Sequence, residues 1–374
     1  MLAAGTFAQA SFSAIGVGLP AIAPEIRSHF GLSLPQVGIV LSALWGGTLV
    51  TMLPWGLIAD RTGERVALAA GLGTCGVLIA GAGFASTFWQ LVLLLSLAGA
   101  AGAATNSSSG RAVMQWFGSS ERGLALGIRQ TAIPIGGLTA AIVLPLLGGV
   151  QLPLFFLASF CLVGALAGLL LVREPHSEVA AVHAEDVPWT LRDRRLWLLC
   201  GGSGLYVVPQ LAVIGFVVLF LHDERGWSAG AAAAVLASVQ VAAGVARIAA
   251  GRWSDVVGAR MPPLRRVGVA SFAALAAVTA LLGGPIVLLV PLFVLAGAVS
   301  MSWNGLAFHA AAELAGLRRS GAAIGFQQTT LAVLGVGVPI AFAATVSATS
   351  WRAAYAIAAL FPLAGAALLR PLRG

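Results

Sequence analysis

Long apolar stretches separated by short polar punctuation run through the whole chain. They fall at 3–25, 36–58, 66–84, 88–115, 122–147, 153–172, 196–221, 229–253, 266–282, 286–310, 321–346 and 351–370. Roughly 20 apolar residues in helical form cross the hydrocarbon core of a bilayer. The alternating period of a membrane barrel is absent. Backbone groups in lipid must bond within their own segment, so the pattern predicts twelve helices. Several connections are very short: Gly31 to Leu34, Ser86-Thr87, Gly148-Gly149 and Gly283-Gly284-Pro285. The one long polar stretch, 173–195, holds Arg173, Glu174, Glu178, Glu185, Asp186, Arg192, Asp193, Arg194 and Arg195. It reads as a linker between an N-terminal six-helix unit, 1–172, and a C-terminal one, 196–374.

Composition supports lipid as the solvent. The chain of 374 residues is 59% hydrophobic and 9% charged, whereas soluble domains carry about 25% charged residues. Net charge is +8, and all 21 basic residues are arginine. No arginine run has the length or interleaved aromatics of a nucleic-acid face, so no nucleic-acid partner is expected. The arginines instead cluster on alternate connections. One set carries Arg61, Arg65, Arg122, Arg173, Arg192, Arg194, Arg195, Arg252, Arg260, Arg265, Arg266, Arg318, Arg319, Arg370 and Arg373; the other carries Arg27, Arg225 and Arg352. The positive-inside rule makes the first set cytoplasmic, with both termini, in a multi-pass protein of the bacterial inner membrane. The apolar start lacks a basic n-region and reads as the first span rather than a signal peptide. Cys75, Cys161 and Cys200 read as small buried hydrophobes. No metal-ligand spacing occurs, and no cofactor is expected. HExxH, GxSxG and P-loop motifs are all missing, which argues against an enzyme or an ATP-driven pump.

The chain repeats itself. Gly56-Leu57-Ile58-Ala59-Asp60-Arg61-Thr62-Gly63-Glu64-Arg65 returns 195 positions later as Gly251-Arg252-Trp253-Ser254-Asp255-Val256-Val257-Gly258-Ala259-Arg260. Ala101-Gly102-Ala103 and Ala296-Gly297-Ala298 share that offset, and Gly127-Ile128-Arg129-Gln130-Thr131 matches Gly325-Phe326-Gln327-Gln328-Thr329 at 198. Helices 2, 4 and 5 are thereby set against helices 8, 10 and 11. Internal repetition of a membrane unit is the usual plan of a secondary transporter.

These motifs resemble the major facilitator superfamily over essentially the whole chain. The glycine, aspartate, glycine and arginine of the loop after helix 2, with a weaker copy after helix 8, carry the resemblance. It implies an all-α membrane protein of twelve transmembrane helices in two pseudo-symmetric six-helix bundles around a central cavity, working by alternating access. It also implies that Gly56, Asp60, Arg61, Gly63 and Arg65, with Gly251, Asp255, Gly258 and Arg260, form the inner gate. Charge pairing and helix-end capping would hold that face closed, and the glycines would permit close approach and tight turns. Gly110-Arg111, Trp116-Phe117, Arg122-Gly123 and Gly136-Gly137, with Trp303-Asn304-Gly305, are similar to the organic-anion and phosphate-ester branch. There are departures. Leu95 stands where many proton-linked members have arginine, Pro134-Ile135-Gly136-Gly137 is one residue short of the drug-antiporter pattern, and Glu64 replaces a basic residue.

Arg129 lies seven residues beyond Arg122, roughly 10 Å into the membrane. An arginine there costs about 2.5–3.5 kcal/mol unless it faces a wet cavity or an anion. Two readings stand: a substrate anchor, or a structural arginine bonded to neighbouring carbonyls. No carboxylate lies deep in any span, which leaves room for a mobile anion held by the guanidinium. Gln130, Gln327 and Gln328 sit at matched levels of helices 5 and 11, either binding a polar substrate or clamping helices. Asn106 and Asn304 are cavity candidates. Tyr206 and Gln210 are spaced i, i+4, and Trp303 lies within a span. Arg111 and Arg247 stand near inner ends, within snorkelling reach, which favours gating or loop anchoring. The expectation is a monomeric secondary transporter of a small organic anion, a carboxylate above all, coupled to a proton or cation in symport. Efflux of hydrophobic or drug-like compounds is the alternative.

Overall fold

The computed structural model describes residues 2–105, 130–172, 192–316 and 320–372, and among them every regular element is helical. The first half holds α1 (Leu2–Gly18), a 3-10 turn at Leu19–Ile22, α2 (Ala23–Phe30), α3 (Leu34–Thr62), α4 (Glu64–Ala82), α5 (Phe88–Gly102), α6 (Ala132–Leu147) and α7 (Gln151–Leu171). The second holds α8 (Arg194–Gly204), α9 (Val207–Asp223), α10 (Ala229–Val257), α11 (Met261–Ala280), α12 (Ile286–Met301), α13 (Trp303–Ala315), α14 (Ser320–Ala348) and α15 (Trp351–Leu368). They make up the twelve spans expected from the apolar pattern. The Asn106 and Arg129 positions and residues 173–191 of the linker lie outside the described residues.

Four helices at the arginine-poor end begin on a hydroxyl cap. Ser33 N–H donates to Gln36 Oε1 at 2.8 Å, and Thr87 and Gln90 form a reciprocal box. Ser228 and Ser350 accept from the N–H groups of Ala231 and Ala353. Each cap satisfies a donor that the first turn leaves without a partner. Ser33 and Ser228 are 195 positions apart, so the repeat includes the cap.

Three spans that read as continuous are interrupted. Pro20 opens the 3-10 turn of the first span. In the seventh, Pro209 has no N–H to return to Leu205, and Val208 N–H takes that carbonyl at 3.3 Å; the helix breaks at Leu205-Tyr206. In the tenth, the hydroxyls of Ser300 and Ser302 turn back onto the carbonyls of Gly297 and Val299. Such back-bonding bends a helix, and this one breaks at Ser302.

Packing follows the halves. In the first, α1 lies against α6 and α7, α3 against α5, and α4 against α7. Helices α3 and α5 meet at Gly99, where an added Cβ would sit 2.0 Å from Leu44 O. In the second half α11 lies against α15 and α10 against α12. Its core is an aromatic cluster of Phe216, Phe220, Phe293, Phe342, Trp351 and Tyr355. Outward flanks carry exposed Val50, Leu146, Leu170, Val245 and Val287, as expected where lipid rather than water is the solvent. The halves meet along two seams, α3 on α14 and α6 on α10, with the 3-10 turn and α2 also touching α9.

Candidate functional site

The two seams are built alike. Trp45 of α3 lies over Gly335 of α14, where a Cβ would be 2.8 Å from the ring. Gln240 of α10 lies over Gly137 of α6, where a Cβ would be 2.6 Å from the amide nitrogen. Trp45 and Gln240 are 195 positions apart, and Gly137 and Gly335 are 198 apart. These are the two offsets of the sequence repeat, so each seam sets a large side chain from one half over a bare glycine of the other.

The same correspondence exposes a difference. One helical stripe of α10, Gln240, Gly244 and Arg247, faces α6. Arg247 is 8% exposed. Its Nε donates to Met301 O at 3.0 Å and its Nη1 to Gln130 O at 2.9 Å, tying α10 to α12 and to the residues just before α6. Its Nη2 is buried without a partner, as are both amide atoms of Gln240. The repeat positions in the other seam are Met52 and Trp45. The expectation for Arg247 is gating or loop anchoring near an inner end, within snorkelling reach. Arg247 instead stands four residues past the midpoint of the 29-residue α10, held by main-chain carbonyls. The reason is tertiary: α6 and α12 close over it and remove the path to water. No carboxylate pairs with it among the described residues.

The other candidates divide into two groups. Asn304 is buried at the start of α13, and its Nδ2 donates to Gln210 Oε1 at 3.3 Å and to Met301 O at 3.1 Å. The carbonyl of Met301 therefore serves Arg247 and Asn304 together. Gln130 and Gln328 are half-buried. The second group packs inside the C-terminal half. Gln327 is fully buried, with Nε2 on Ser203 Oγ at 3.3 Å. Tyr206 is fully buried, its hydroxyl donating to Leu264 O at 3.2 Å and its ring edge-on to Trp303 with centroids 6.0 Å apart. The i, i+4 spacing thus gives Tyr206 and Gln210 different partners, because the break at Leu205-Tyr206 turns the ring away toward α11. Arg129 and Asn106 lie outside the described residues. Gln240 escaped the reading of the sequence. Its signal was available in the i, i+4, i+7 stripe and in the offset to Trp45.

The two ends of the molecule differ. At the arginine-poor end Arg27 of α2 makes a salt bridge with Asp223 of α9, and His222 Nδ1 lies 2.9 Å from the same carboxylate. A Cβ on Gly38 would come within 2.6 Å of Pro339 O. A depression of about 720 Å³, lined by Arg27, Ser33, His222, Asp223, Glu224 and Trp351 among others, marks this mouth. It lies away from the buried polar groups. At the arginine-rich end no described atom lies within 4 Å of a Cβ built on Gly56, Gly251, Gly305 or Gly325. The close approach expected at Gly56 and Gly251 is therefore not made among the described residues. Gly63 and Gly258 do take the positive φ of tight turns, at 86° and 65°. Arg260 donates to Asp255 Oδ1 at 2.6 Å, Ser254 Oγ at 2.8 Å and Glu313 Oε1 at 3.3 Å. Burial opposes its charge, but the carboxylates of Asp255 and Glu313 outweigh that and raise its pKa. This network braces α10 to α13 within one half. Arg61 and Arg65 are exposed, and the Asp60 side chain lies outside the described residues.

The chain matches the family model of the Major Facilitator Superfamily over residues 1–339. It is 33% identical to an uncharacterized MFS-type transporter of Mycobacterium tuberculosis, over 95% of this chain and 81% of that one. It is 26% identical to the "Probable sulfoacetate transporter SauU" of Cupriavidus necator, over 87% and 82%. It is also 26% identical to the "Multidrug resistance protein MdtG" of Escherichia fergusonii, over 68% and 64%. Among solved structures, a bacterial homologue of the human lysosomal transporter Spinster, inward-facing and occupied, superposes with a TM-score of 0.80 at 17% identity, covering 99% of this chain and 95% of that one.

Proposed function

This chain belongs to the Major Facilitator Superfamily, and we propose that it carries a small organic anion, a carboxylate above all, by alternating access. It is a membrane transporter and not an enzyme. The observation that carries the substrate class is Arg247, a guanidinium buried between the halves with no carboxylate beside it among the described residues. A buried cation without a fixed counter-ion is stabilised by a mobile one. The similarity to a protein named for sulfoacetate supports the same class.

In this reading Arg129 anchors the anion from the N-terminal half. Gln130, Gln328, Asn304, Gln210 and Asn106 set its orientation, and Gln327, Tyr206 and Trp303 form the wall behind. The rocking bodies are 1–172 and 196–374, joined by the 173–195 linker. The two glycine-aspartate loops, with Gly56, Asp60, Arg61, Gly63, Arg65, Gly251, Asp255, Gly258 and Arg260, form the cytoplasmic gate. With the arginine-rich end cytoplasmic, the arrangement described is closed outward by Arg27 and Asp223. It resembles the inward-facing state named for the Spinster homologue. The protein is a monomer of the bacterial inner membrane, with both termini cytoplasmic, and couples transport to a proton or cation in symport.

The second reading, efflux of hydrophobic compounds, has the similarity to MdtG in its favour. A thermal-shift screen of the purified protein against organic anions, cations and neutral drugs separates the two, with Arg129→Ala beside wild type. A ligand of the folded state adds about 2.7 kcal/mol at a hundredfold excess over Kd. Stabilisation of wild type by anions, lost in Arg129→Ala, supports the organic-anion reading. Stabilisation of both proteins by lipophilic cations alone replaces it with efflux.

A further inference from the structure

The α6–α10 seam holds three polar atoms that the fold does not require. Arg247 Nη2 and the Oε1 and Nε2 of Gln240 are buried without partners. Gln240 is 1% exposed, so water does not serve it. A buried donor or acceptor left without a bond destabilises the fold. The other seam shows that the architecture can avoid this, because the matching places carry Trp45, which lies over Gly335 as Gln240 lies over Gly137, and Met52. The polar pair is therefore an addition on one side only of a pseudo-symmetric molecule.

The chemistry of those atoms is specific. The carbonyls of Gln130 and Met301 take Nη1 and Nε of Arg247 and fix the guanidinium plane, so Nη2 is the one guanidinium nitrogen without a partner. An oxyanion meeting Nη2 completes the guanidinium without displacing either carbonyl. Two turns along the same face, Gln240 offers a donor and an acceptor together, the complement of a hydroxyl or carbonyl. Seven residues separate the two, about 10 Å between Cα levels. Gly244 between them adds no side chain, and Pro134 is the nearest group across the seam.

We propose that the Gln240–Arg247 seam is the second half's substrate subsite: Arg247 binds a carboxylate or sulfonate oxygen, and Gln240 binds a hydroxyl or carbonyl on the same short acid. This rests on the organic-anion reading and assigns it residues on α10. Both halves then hold the ligand, Arg247 from the second and the Gln130 segment from the first. An anion seated here bears on the seam along which the halves rock.

The test is calorimetric binding of acetate, glycolate, lactate and sulfoacetate, with lactamide as the neutral probe, to purified full-length protein. Wild type is compared with Arg247→Lys and Gln240→Met, and thermal unfolding without ligand checks each fold. Arg247→Lys should weaken every anion at least about tenfold, because all three ammonium donors sit on one nitrogen and cannot reproduce the planar fork that reaches two carbonyls and faces the anion from a third nitrogen. Gln240→Met should weaken glycolate, lactate and sulfoacetate but not acetate. Without ligand Gln240→Met should melt at a higher temperature than wild type, since it removes unpartnered buried amide atoms at similar volume. A helix clamp would give the opposite sign. Anion binding by wild type with unchanged affinities in both variants overturns the seam and leaves the organic-anion reading standing. Absence of any anion binding by wild type overturns both.

Discussion

The close contact at Gly38 makes the closed arginine-poor end open to a quantitative test. A Cβ at this position would lie 2.6 Å from Pro339 O, 3.1 Å from Pro339 C and 2.9 Å from Ala343 Cβ. Two of these atoms are backbone, so α3 and α14 must part for alanine to fit. Overpacking of this kind costs about 1–3 kcal/mol, and it falls only on the arrangement in which the two helices touch. The helix-propensity gain of alanine over glycine is common to both arrangements and cancels. The population with the arginine-poor end open should therefore rise roughly 5- to 150-fold. Ser42, one turn along α3 and 3% exposed, is the reporter position. The three native cysteines are all buried and give a low background. In proteoliposomes, Ser42→Cys should react slowly with a membrane-impermeant maleimide. Adding Gly38→Ala should raise the rate at least about 5-fold. Gly46→Ala is the control, because its Cβ meets only Val336 Cγ2 at 4.0 Å. Equal labelling in the Gly38→Ala and parent proteins, or an equal rise with Gly46→Ala, would refute the assignment of this seam as the closed gate.

Three further outcomes are expected. A Cβ on Gly251 would meet no described atom within 4 Å, so Gly251→Ala should match the wild-type melting temperature while transport falls, if the arginine-rich end closes on this glycine. A loss of melting temperature as large as the loss of transport would count against that. The salt bridge between Arg27 and Asp223 is about a third exposed on the arginine side, so it holds the end closed by only about 0.2–1 kcal/mol. Arg27→Gln should speed labelling of Ser42→Cys by no more than about 5-fold; Arg27→Asp, which adds repulsion from Asp223, should speed it further, and adding Asp223→Arg to that variant should restore the slow rate. Phe293, fully buried against Phe220 and Tyr355, should cost about 3–5 kcal/mol on truncation to alanine, read as a lowered unfolding midpoint in mild denaturant.

The sequence by itself determined the solvent, the number of spans and the internal pairing of the halves. Apolar length against bilayer thickness is a local property, and so is the offset between Gly56 and Gly251. Capping at Ser33 and Ser228 is equally local, since a cap needs only its own first turn. The tertiary structure alone decided which polar groups share a site. Arg247 reads as a snorkelling residue on α10 taken by itself, because only α6 and α12, distant in sequence, close its way to water. Tyr206 and Gln210 share a helical face on paper, but the turn before Pro209 sends one toward α11 and the other to Asn304. Gln240 drew no notice because glutamine is an ordinary residue in isolation. Burial over Gly137 is what leaves its amide without a partner. Periodicity records which face of a helix is apolar. Whether a polar atom on another face reaches water, a carbonyl or nothing depends on the neighbour packed against it, and that neighbour lies in the other half of the chain.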